Sequence, residues 1–259
     1  MDLGLAGRQA IVCGSTRGLG RACAESLARE GVDVVVNGRH ADAVHATAAD
    51  LAARHGVRVT PVVADIDTRE GRAALLAACP EPDILVTNNA GPAPSAFTQN
   101  DEDAWRAALD ANLLAPVLQI RGVIDGMRAR HFGRIVNITS AMVKTPHPYM
   151  TLSVGARAGL TGVVKALSKE VAADNVTINN LLPERFDTDR QRQMAELAMA
   201  ARGISWDEAR AEQAASIAAG RLGEPHELGD ACAYLCSAQA GYVSGQNLQL
   251  DGGSYGGIF

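Results

Sequence analysis

The sequence predicts an α/β fold, a single domain built on a doubly wound parallel sheet of six to seven strands flanked by helices. Two observations predict it. A strand pattern at residues 9–13 leads through a glycine-rich turn into an amphipathic helix, and strand and helix patterns then alternate to residue 250. Alternating units of this kind build parallel sheets. Because no internal repeat or linker interrupts them, we expect residues 1–259 to form one dinucleotide-binding domain.

The glycine-rich turn has the spacing G-x-x-x-G-x-G. Glycine lets the backbone bend tightly and approach a ligand without a Cβ in the way, and the helix that follows presents free N–H groups to an anion. We therefore expect a pyrophosphate here. The general dinucleotide fingerprint is spaced G-x-G-x-x-G, so a merely tight strand-to-helix turn is the alternative. The predicted contact residues are Gly14, Ser15, Thr16, Arg17, Gly18, Leu19 and Gly20.

Composition limits the classes of partner. The chain of 259 residues is 47% hydrophobic and 20% charged, with a net charge of −5 and no block of basic residues, which argues against nucleic acid or an anionic membrane. We find no run of about 18 apolar residues and no secretory signal pattern. Five scattered cysteines without a C-x-x-C pair indicate core thiols rather than disulfides or a metal site, and suit a cytoplasmic protein.

The end of the second strand predicts which nucleotide binds. In dinucleotide folds a carboxylate at this place selects NAD by binding the ribose 2′-hydroxyl. Here Asn37 and Arg39 stand there instead, and Arg17 lies inside the glycine turn. Two guanidinium groups are suited to hold a 2′-phosphate, so the sequence predicts NADP. The alternative is that both arginines are solvated surface residues.

The remaining elements follow in order, and together they predict a Rossmann-like architecture. Polar and small residues end the fourth strand at Thr87-Asn88-Asn89-Ala90-Gly91, where an open parallel sheet binds ligands. Asn112 lies in a long helical segment that Pro116 is expected to bend. Residues 189–220 form a helical insertion in two pieces. The predicted strands are 33–37, 57–64, 83–86, 133–138, 176–182 and 246–250, and the predicted helices 41–55, 69–78, 101–130, 152–172 and 225–237.

These motifs resemble the short-chain dehydrogenase/reductase family over essentially the whole chain, and the layout is similar to bacterial 3-oxoacyl-carrier-protein reductases. The resemblance implies NAD(P) binding and a homotetramer. It places Asp65 and Ile66 near adenine, Asn89 near the adenine-side ribose, with Ala90 and Gly91 following, and Thr188 near the nicotinamide carboxamide. The matching residues are Gly14, Gly18, Gly20, Asp65, Asn88-Asn89-Ala90-Gly91, Asn112, Ser140, Pro183, Thr188, Gly245 and Asp251-Gly252-Gly253.

The sequence departs from the family at the catalytic pair. The family has a tyrosine 13 residues after the serine that matches Ser140, and a lysine four residues later. These places hold Ser153 and Arg157 here, and Tyr149 lies four residues too early to substitute by a shift of register. The Pro-Gly that usually follows strand six becomes Pro183-Glu184.

The loss matters because carbonyl reduction needs a proton as well as a hydride. A tyrosine whose pKa is lowered by a nearby lysine supplies that proton, whereas a serine is a much poorer acid and arginine stays charged. Tyr149, Glu184 and Lys144 are the candidate replacements, and His147 is a pocket-rim residue with a lesser claim to acid–base work. As alternatives, Tyr149 is a pocket wall, Lys144 a surface residue and Glu184 an ion-pair partner of Arg185.

Three functions remain open from sequence. The first is an NADP-dependent oxidoreductase acting on a small carbonyl or related unsaturated substrate with a rearranged proton donor. The second is a nucleotide-binding subunit without redox activity, and the third a lyase or isomerase that uses Glu184 and Tyr149. The expected catalytic residues are Ser140, Asn112, Ser153, Arg157, Tyr149 and Glu184. Arg157 and Pro183 are also expected to contact the cofactor, and no metal is expected.

Overall fold

A computed structural model of the protein describes residues 2–258. Its seven strands form one parallel sheet in the order β3-β2-β1-β4-β5-β6-β7, which confirms the predicted fold class. The order reverses between β1 and β4, where such sheets open a ligand crevice at their carboxyl ends. The strands are β1 Gln9–Val12, β2 Asp33–Gly38, β3 Val59–Val63, β4 Ile84–Thr87, β5 Gly133–Ile138, β6 Val176–Pro183 and β7 Asn247–Leu250.

Helices cover both faces of the sheet. One buried cluster packs α1, α2 and α9 on one face, and a second packs α3, α5 and α6 on the other. All five cysteines are buried free thiols. Two helices, α7 and α8, fill the predicted insertion. The helices are α1 Gly18–Arg29, α2 Ala41–His55, α3 Arg69–Ala78, α4 Glu102–Leu109, α5 Ala115–Ala129, α6 Thr151–Val171, α7 Asp189–Arg202, α8 Trp206–Ala215 and α9 Pro225–Cys236.

The long helical segment is interrupted differently from the prediction. The irregularity is a π-helical turn, Asp110–Leu114, which separates α4 from α5 before Pro116. Proline has no N–H to donate to the carbonyl four residues earlier, which belongs to Asn112. Pro116 therefore leaves the Asn112 carbonyl without its usual helical hydrogen bond. Asn112 lies in this wider turn, and the sequence placed it in the active site.

The same segment passes a test of length and composition for a membrane span. Glu102–Ala129 runs for 28 residues and is apolar enough on average to cross a membrane, although charged residues interrupt it. Buried helices of globular proteins pass this test too. Here Val123, Ile124 and Met127 pack into the core of the domain. The predicted absence of a membrane partner stays a prediction.

Candidate active site

The glycine turn is built to leave its helix N-terminus open. Helix α1 begins at Gly18 with no side chain capping its first turn. A Cβ on Gly20 would lie 2.3 Å from the Gly14 carbonyl oxygen, so only glycine permits this close packing. Asn88 Nδ2 braces the turn by donating to the same oxygen at 3.0 Å. The uncapped N–H groups of α1, next to a turn of glycines that lack side chains, fit a dinucleotide pyrophosphate.

Asn37, which the sequence placed among the cofactor contacts, has its side chain bonded within the protein. Its side chain is buried, and its amide nitrogen donates to the carbonyls of Val62 and Ala64 at 3.2 and 3.1 Å. Its amide oxygen accepts from the Gly14 N–H at 3.2 Å. A buried amide cannot bond to bulk water, so it forms its hydrogen bonds with other groups of the protein. Asn37 therefore braces the glycine turn.

The two arginines near the predicted ribose position differ in environment. Arg17 is exposed and lies 3.6 Å from the Asp189 carboxylate of α7. Arg39 is also exposed, and among residues 2–258 no carboxylate lies within ion-pair distance of it. An exposed ion pair such as Arg17–Asp189 has little strength. Arg39 is thus the more available of the two guanidinium groups.

Asn89 joins the loop that follows β3 to Arg157. Its Nδ2 donates to Asp67 Oδ1 at 2.6 Å and to the Ala111 carbonyl at 3.1 Å. Its carbonyl accepts from Arg157 Nη2 at 3.3 Å. Asp65 shapes the same loop, because its Oδ1 accepts from the Asp67 N–H at 3.0 Å. Burial raises the pKa of the Asp67 carboxyl, against the opposing effect of its bond from Asn89.

Arg157 is a buried cation at the carboxyl ends of β4 and β5. Its Nη1 donates to the carbonyls of Ile138 and Thr139 at 2.9 and 3.1 Å. No carboxylate of the described chain pairs with it, and burial lowers the pKa of its guanidinium to about 10, so it stays charged at neutral pH. A Cβ on Gly91 would lie 3.5 Å from Arg157 Nη2 and 4.0 Å from Ser153 Oγ. Gly91, Ser153 and Arg157 therefore meet at one point.

Asn112 lies beside this cation, and Ser140 directly follows Thr139, whose carbonyl Arg157 binds. Ser140 follows β5, and its Oγ accepts from the Met142 N–H at 3.2 Å. Asn112, Arg157 and Ile66 line a small cavity of about 10 Å³. Asn112 Nδ2 donates to the Ala90 carbonyl at 3.4 Å, whereas the buried Asn112 Oδ1 has no partner among residues 2–258. An orphaned acceptor in a cavity of this size suits one water molecule.

The candidate proton donors occupy different environments. Tyr149 is 56% exposed, and its ring centroid lies 6.0 Å from that of His147. Glu184 is half-buried at the end of β6, with its carboxylate 3.7 Å from Arg185 Nε. Burial raises the pKa of the Glu184 carboxyl, Asp251 adds to the rise, and Arg185 and His147 oppose it. Glu184 therefore lies near enough to His147, in the loop that follows Ser140, for their charges to interact.

Lys144, the third candidate, packs against the carboxyl-terminal tail. Its Nζ lies 5.4 Å from the centroid of the Tyr255 ring. A cation over an aromatic face is stabilised by the ring's quadrupole. Lys144 is therefore engaged by the tail, which weakens its claim to donate the proton.

The start of α7 lies across the mouth of the cleft. Thr188 Cγ2 is 3.7 Å from the position of a Cβ on Gly18, so the predicted nicotinamide contact does reach the glycine turn. Pro183 pairs with Leu250 where β6 and β7 end. Arg190 Nη2 donates to the Pro92 carbonyl at 3.1 Å, across to the loop after β4. The insertion thus closes over the site from one side.

Sequence reasoning missed two residues that the structure brings to the site. Asp67 holds Asn89, and Arg190 holds the loop that follows Gly91. A signal for each was present, because Asp67 lies two residues after Asp65 and Arg190 two residues after Thr188. Their partners are distant in sequence, so no local pattern could show the contacts.

Comparison with known proteins agrees with this geometry. The family profile described as enoyl-(acyl carrier protein) reductase matches residues 14–255. The chain is 31% identical over 252 residues to the NADPH-dependent reductase BacG of Bacillus subtilis, covering 95% of this chain and 97% of that protein. It is 32% identical over 253 residues to the 3-oxoacyl-[acyl-carrier-protein] reductase FabG of Haemophilus influenzae, covering 96% and 98%. This protein belongs to the short-chain dehydrogenase/reductase family.

Solved structures give the same result. L-sorbose reductase from Gluconobacter frateurii, complexed with NADPH and L-sorbose, matches with a TM-score of 0.95 and 30% identity over 100% of both chains. YwfH, an NADPH-dependent reductase involved in bacilysin biosynthesis, matches with a TM-score of 0.91 and 30% identity, covering 97% of this chain and 99% of that one. The fold and the family are therefore those of oxidoreductases.

Proposed function

We propose that this protein is an NADP-dependent oxidoreductase that reduces a small carbonyl or related unsaturated substrate with a rearranged proton donor. One observation carries the proposal. A buried guanidinium without a carboxylate partner, Arg157, lies beside Ser153 and Gly91 next to an intact nucleotide cradle. Relatives named as NADPH-dependent reductases support the choice of cofactor. When bound, NADPH supplies a hydride to the substrate carbon.

Hydride transfer to the carbonyl carbon leaves negative charge on the substrate oxygen, and the residues of the site can stabilise that charge. Arg157 stays cationic and stabilises charge on the substrate oxygen, because a fixed cation in a water-poor site acts strongly on nearby charge. The hydroxyls of Ser140 and Ser153 donate hydrogen bonds to the same oxygen. Arg157 does not deliver the proton, since a guanidinium keeps its proton at neutral pH.

Glu184 is our choice of proton donor. Its raised pKa keeps more of the carboxyl protonated near neutral pH than an exposed glutamate would be. Continuing the register of β5 with β6, in which Ile138 pairs with Leu181, places Ser140 opposite Pro183, the residue before Glu184. Hydride on carbon and this proton on oxygen complete the reduction of a carbonyl to an alcohol.

A conjugated carbon–carbon double bond is the second candidate substrate. Hydride addition to the far carbon of an enone gives an enolate, whose charge is spread over oxygen and carbon. Such an intermediate needs a nearby cation more than a strong acid, because solvent can protonate it later. Arg157 keeps a cation at the family's lysine position, whereas the phenol is missing at Ser153. This arrangement favours enone reduction, as does the family's description as enoyl reductases.

Loss of NADPH absorbance on mixing with a panel of ketones, imines and enones tests the proposal. We expect turnover of at least one class. A protein that binds NADPH and consumes it with none of them would sink the redox function. It would favour the alternatives, a non-catalytic nucleotide-binding subunit or a lyase or isomerase using Glu184 and Tyr149.

We predict that NADP binds about ten- to a hundredfold more tightly than NAD. A charge-assisted contact between Arg39 and the 2′-phosphate contributes about 1.5 to 3 kcal/mol. Titration of both nucleotides into the wild type and into Arg39→Ala measures this difference. Arg69→Ala, an exposed arginine on α3, is the control. Equal affinity for NAD, or an unchanged preference in Arg39→Ala, would contradict the prediction.

A homotetramer is our proposal for the assembly. Helix α6 exposes small residues at one helical spacing, Gly155, Ala158 and Gly162, beside Val163, which is 40% exposed. Near the end of the chain Ile258 is 88% exposed, whereas Phe259, also predicted at an interface, lies outside the described residues. Light scattering should give four times the chain mass of 27.0 kDa. A monodisperse monomer at micromolar concentration would refute this. A cytoplasmic location stays a prediction.

A further inference from the structure

Arg190 is a half-buried cation that lacks an ionic partner. It lies in the first turn of α7, and its recorded hydrogen bond goes to a neutral acceptor, the Pro92 carbonyl. Nearby acids are already paired. Asp187 Oδ1 lies 2.9 Å from Arg210 Nη2, and Asp189 Oδ2 lies 3.6 Å from Arg17 Nη1. Within residues 2–258 no carboxylate lies at ion-pair distance from Arg190.

The hydrogen bond to Pro92 shows where the Arg190 guanidinium lies relative to the site. Pro92 directly follows Gly91, the residue whose Cβ position lies 4.0 Å from Ser153 Oγ and 3.5 Å from Arg157 Nη2. Arg190 therefore reaches the cleft wall one residue away from the point where the substrate oxygen is proposed to bind. It approaches from α7.

The guanidinium of Arg190 has hydrogen-bond donors left for an anion. A guanidinium has five N–H donors in a planar fork, and Arg190 uses one of them on Pro92. A cation partly removed from water is stabilised by an anion, and the fork matches the paired oxygens of a carboxylate or phosphate. The remaining donors thus suit an anionic group of a molecule that enters the cleft.

We propose that the substrate carries an anionic group, a carboxylate or a phosphate ester, which Arg190 binds while the reacting carbon lies beside Ser153 and Arg157. This inference rests on the proposed function, and it names the substrate class. A neutral ketone of the same size lacks the contact with Arg190. It should bind more weakly for that reason.

Binding measurements test this without requiring turnover. The probes are 4-oxopentanoate, its neutral amide 4-oxopentanamide, and 2-oxopropylphosphonate, each titrated calorimetrically into the protein saturated with NADP⁺. We expect the wild type to bind the better anion at least tenfold more tightly than the amide. The tighter of the two anions identifies the group as carboxylate or phosphate. Arg190→Gln should lower affinity for that anion about ten- to a hundredfold and leave the amide unchanged.

Arg192→Gln is the matched control. It removes the same charge from the same helix, but Arg192 is exposed and pairs with Asp187 at 3.8 Å. We expect no change in affinity for any probe. Equal loss in both variants would overturn the inference, because it would reflect net charge alone.

Other results would overturn it as well. These are equal binding of the amide and both anions by the wild type, binding of neither anion, or equal loss of anion and amide in Arg190→Gln, which would make the residue a loop clamp. Loss of NADP⁺ affinity in Arg190→Gln would assign the arginine to the cofactor. Anion binding that persists without any NADPH consumption would sustain this inference while the proposed function fails.

Discussion

Glu184→Gln should abolish turnover while leaving NADPH affinity nearly unchanged. The amide keeps the size of the carboxyl group but carries no acidic proton, and loss of a positioned general acid costs about 10² to 10⁴ in rate. Because burial raises the pKa of Glu184, the wild-type rate should fall as pH rises through that pKa, as the donor loses its proton. Steady-state rates across pH, with NADPH binding measured separately, check both points.

Tyr149→Phe is the comparison for this result. Tyr149 is 56% exposed, and we expect its variant to keep most of the turnover and the same pH profile. If Tyr149→Phe loses turnover and Glu184→Gln keeps it, the proton comes from the phenol. Unchanged rates in both variants would mean that neither residue is the donor.

The paired substitution Ser153→Tyr with Arg157→Lys should create or raise ketone reduction, by up to about 10²- to 10⁴-fold if the acid alone is lacking. The two changes act as one unit, because a phenol works as an acid near neutral pH only when a cation lowers its pKa, and the donors of Arg157 are taken up by the carbonyls of Ile138, Thr139 and Asn89. Each single variant should therefore gain little. Rates of NADPH consumption with one ketone, compared across the four proteins, measure this coupling.

Folding must be checked alongside these rates. Lysine cannot repeat the bonds from Arg157 to the carbonyls of Ile138 and Thr139, and hydrogen bonds to a charged group contribute about 1.5 to 3 kcal/mol. Thermal unfolding with and without NADPH separates a misfolded variant from an inactive one. A folded double variant that binds NADPH and reduces no ketone would contradict the view that only the acid is missing. If the native protein is itself inert, such a variant would refute the redox function.

Local patterns determined most of the architecture. The predicted bounds of α2, α3 and β5 agree residue for residue with the structure, and the other strands differ at their ends by one or two residues. Hydrophobic periodicity and the residues that stop helices act over a few positions, so sequence suffices for them. The glycine turn was also predictable. It needs positive φ at Gly14 and Gly18 and close packing at Gly20, and these requirements are met by the glycines themselves.

The tertiary structure decided what each polar side chain does. Asn37 lies at the predicted ribose position, yet its amide is taken up by the glycine turn and β3, because a buried amide must find partners wherever the fold supplies them. The long helix contains a π-turn at Asn112 rather than a simple bend at Pro116.

The charged residues make the same point. The hydrogen-bond partners of the Arg157 and Arg190 side chains lie 18 to 98 residues away in sequence. The pKa of Glu184 depends on its neighbour Arg185 and also on the distant Asp251 and His147. By itself the sequence determined the fold, the glycine turn and the presence of serine and arginine at positions 153 and 157. Only the tertiary structure decided that Arg157 is buried without a counterion and that Arg190 lies at the mouth of the cleft, because burial and charge pairing arise from contacts that distant segments make on folding.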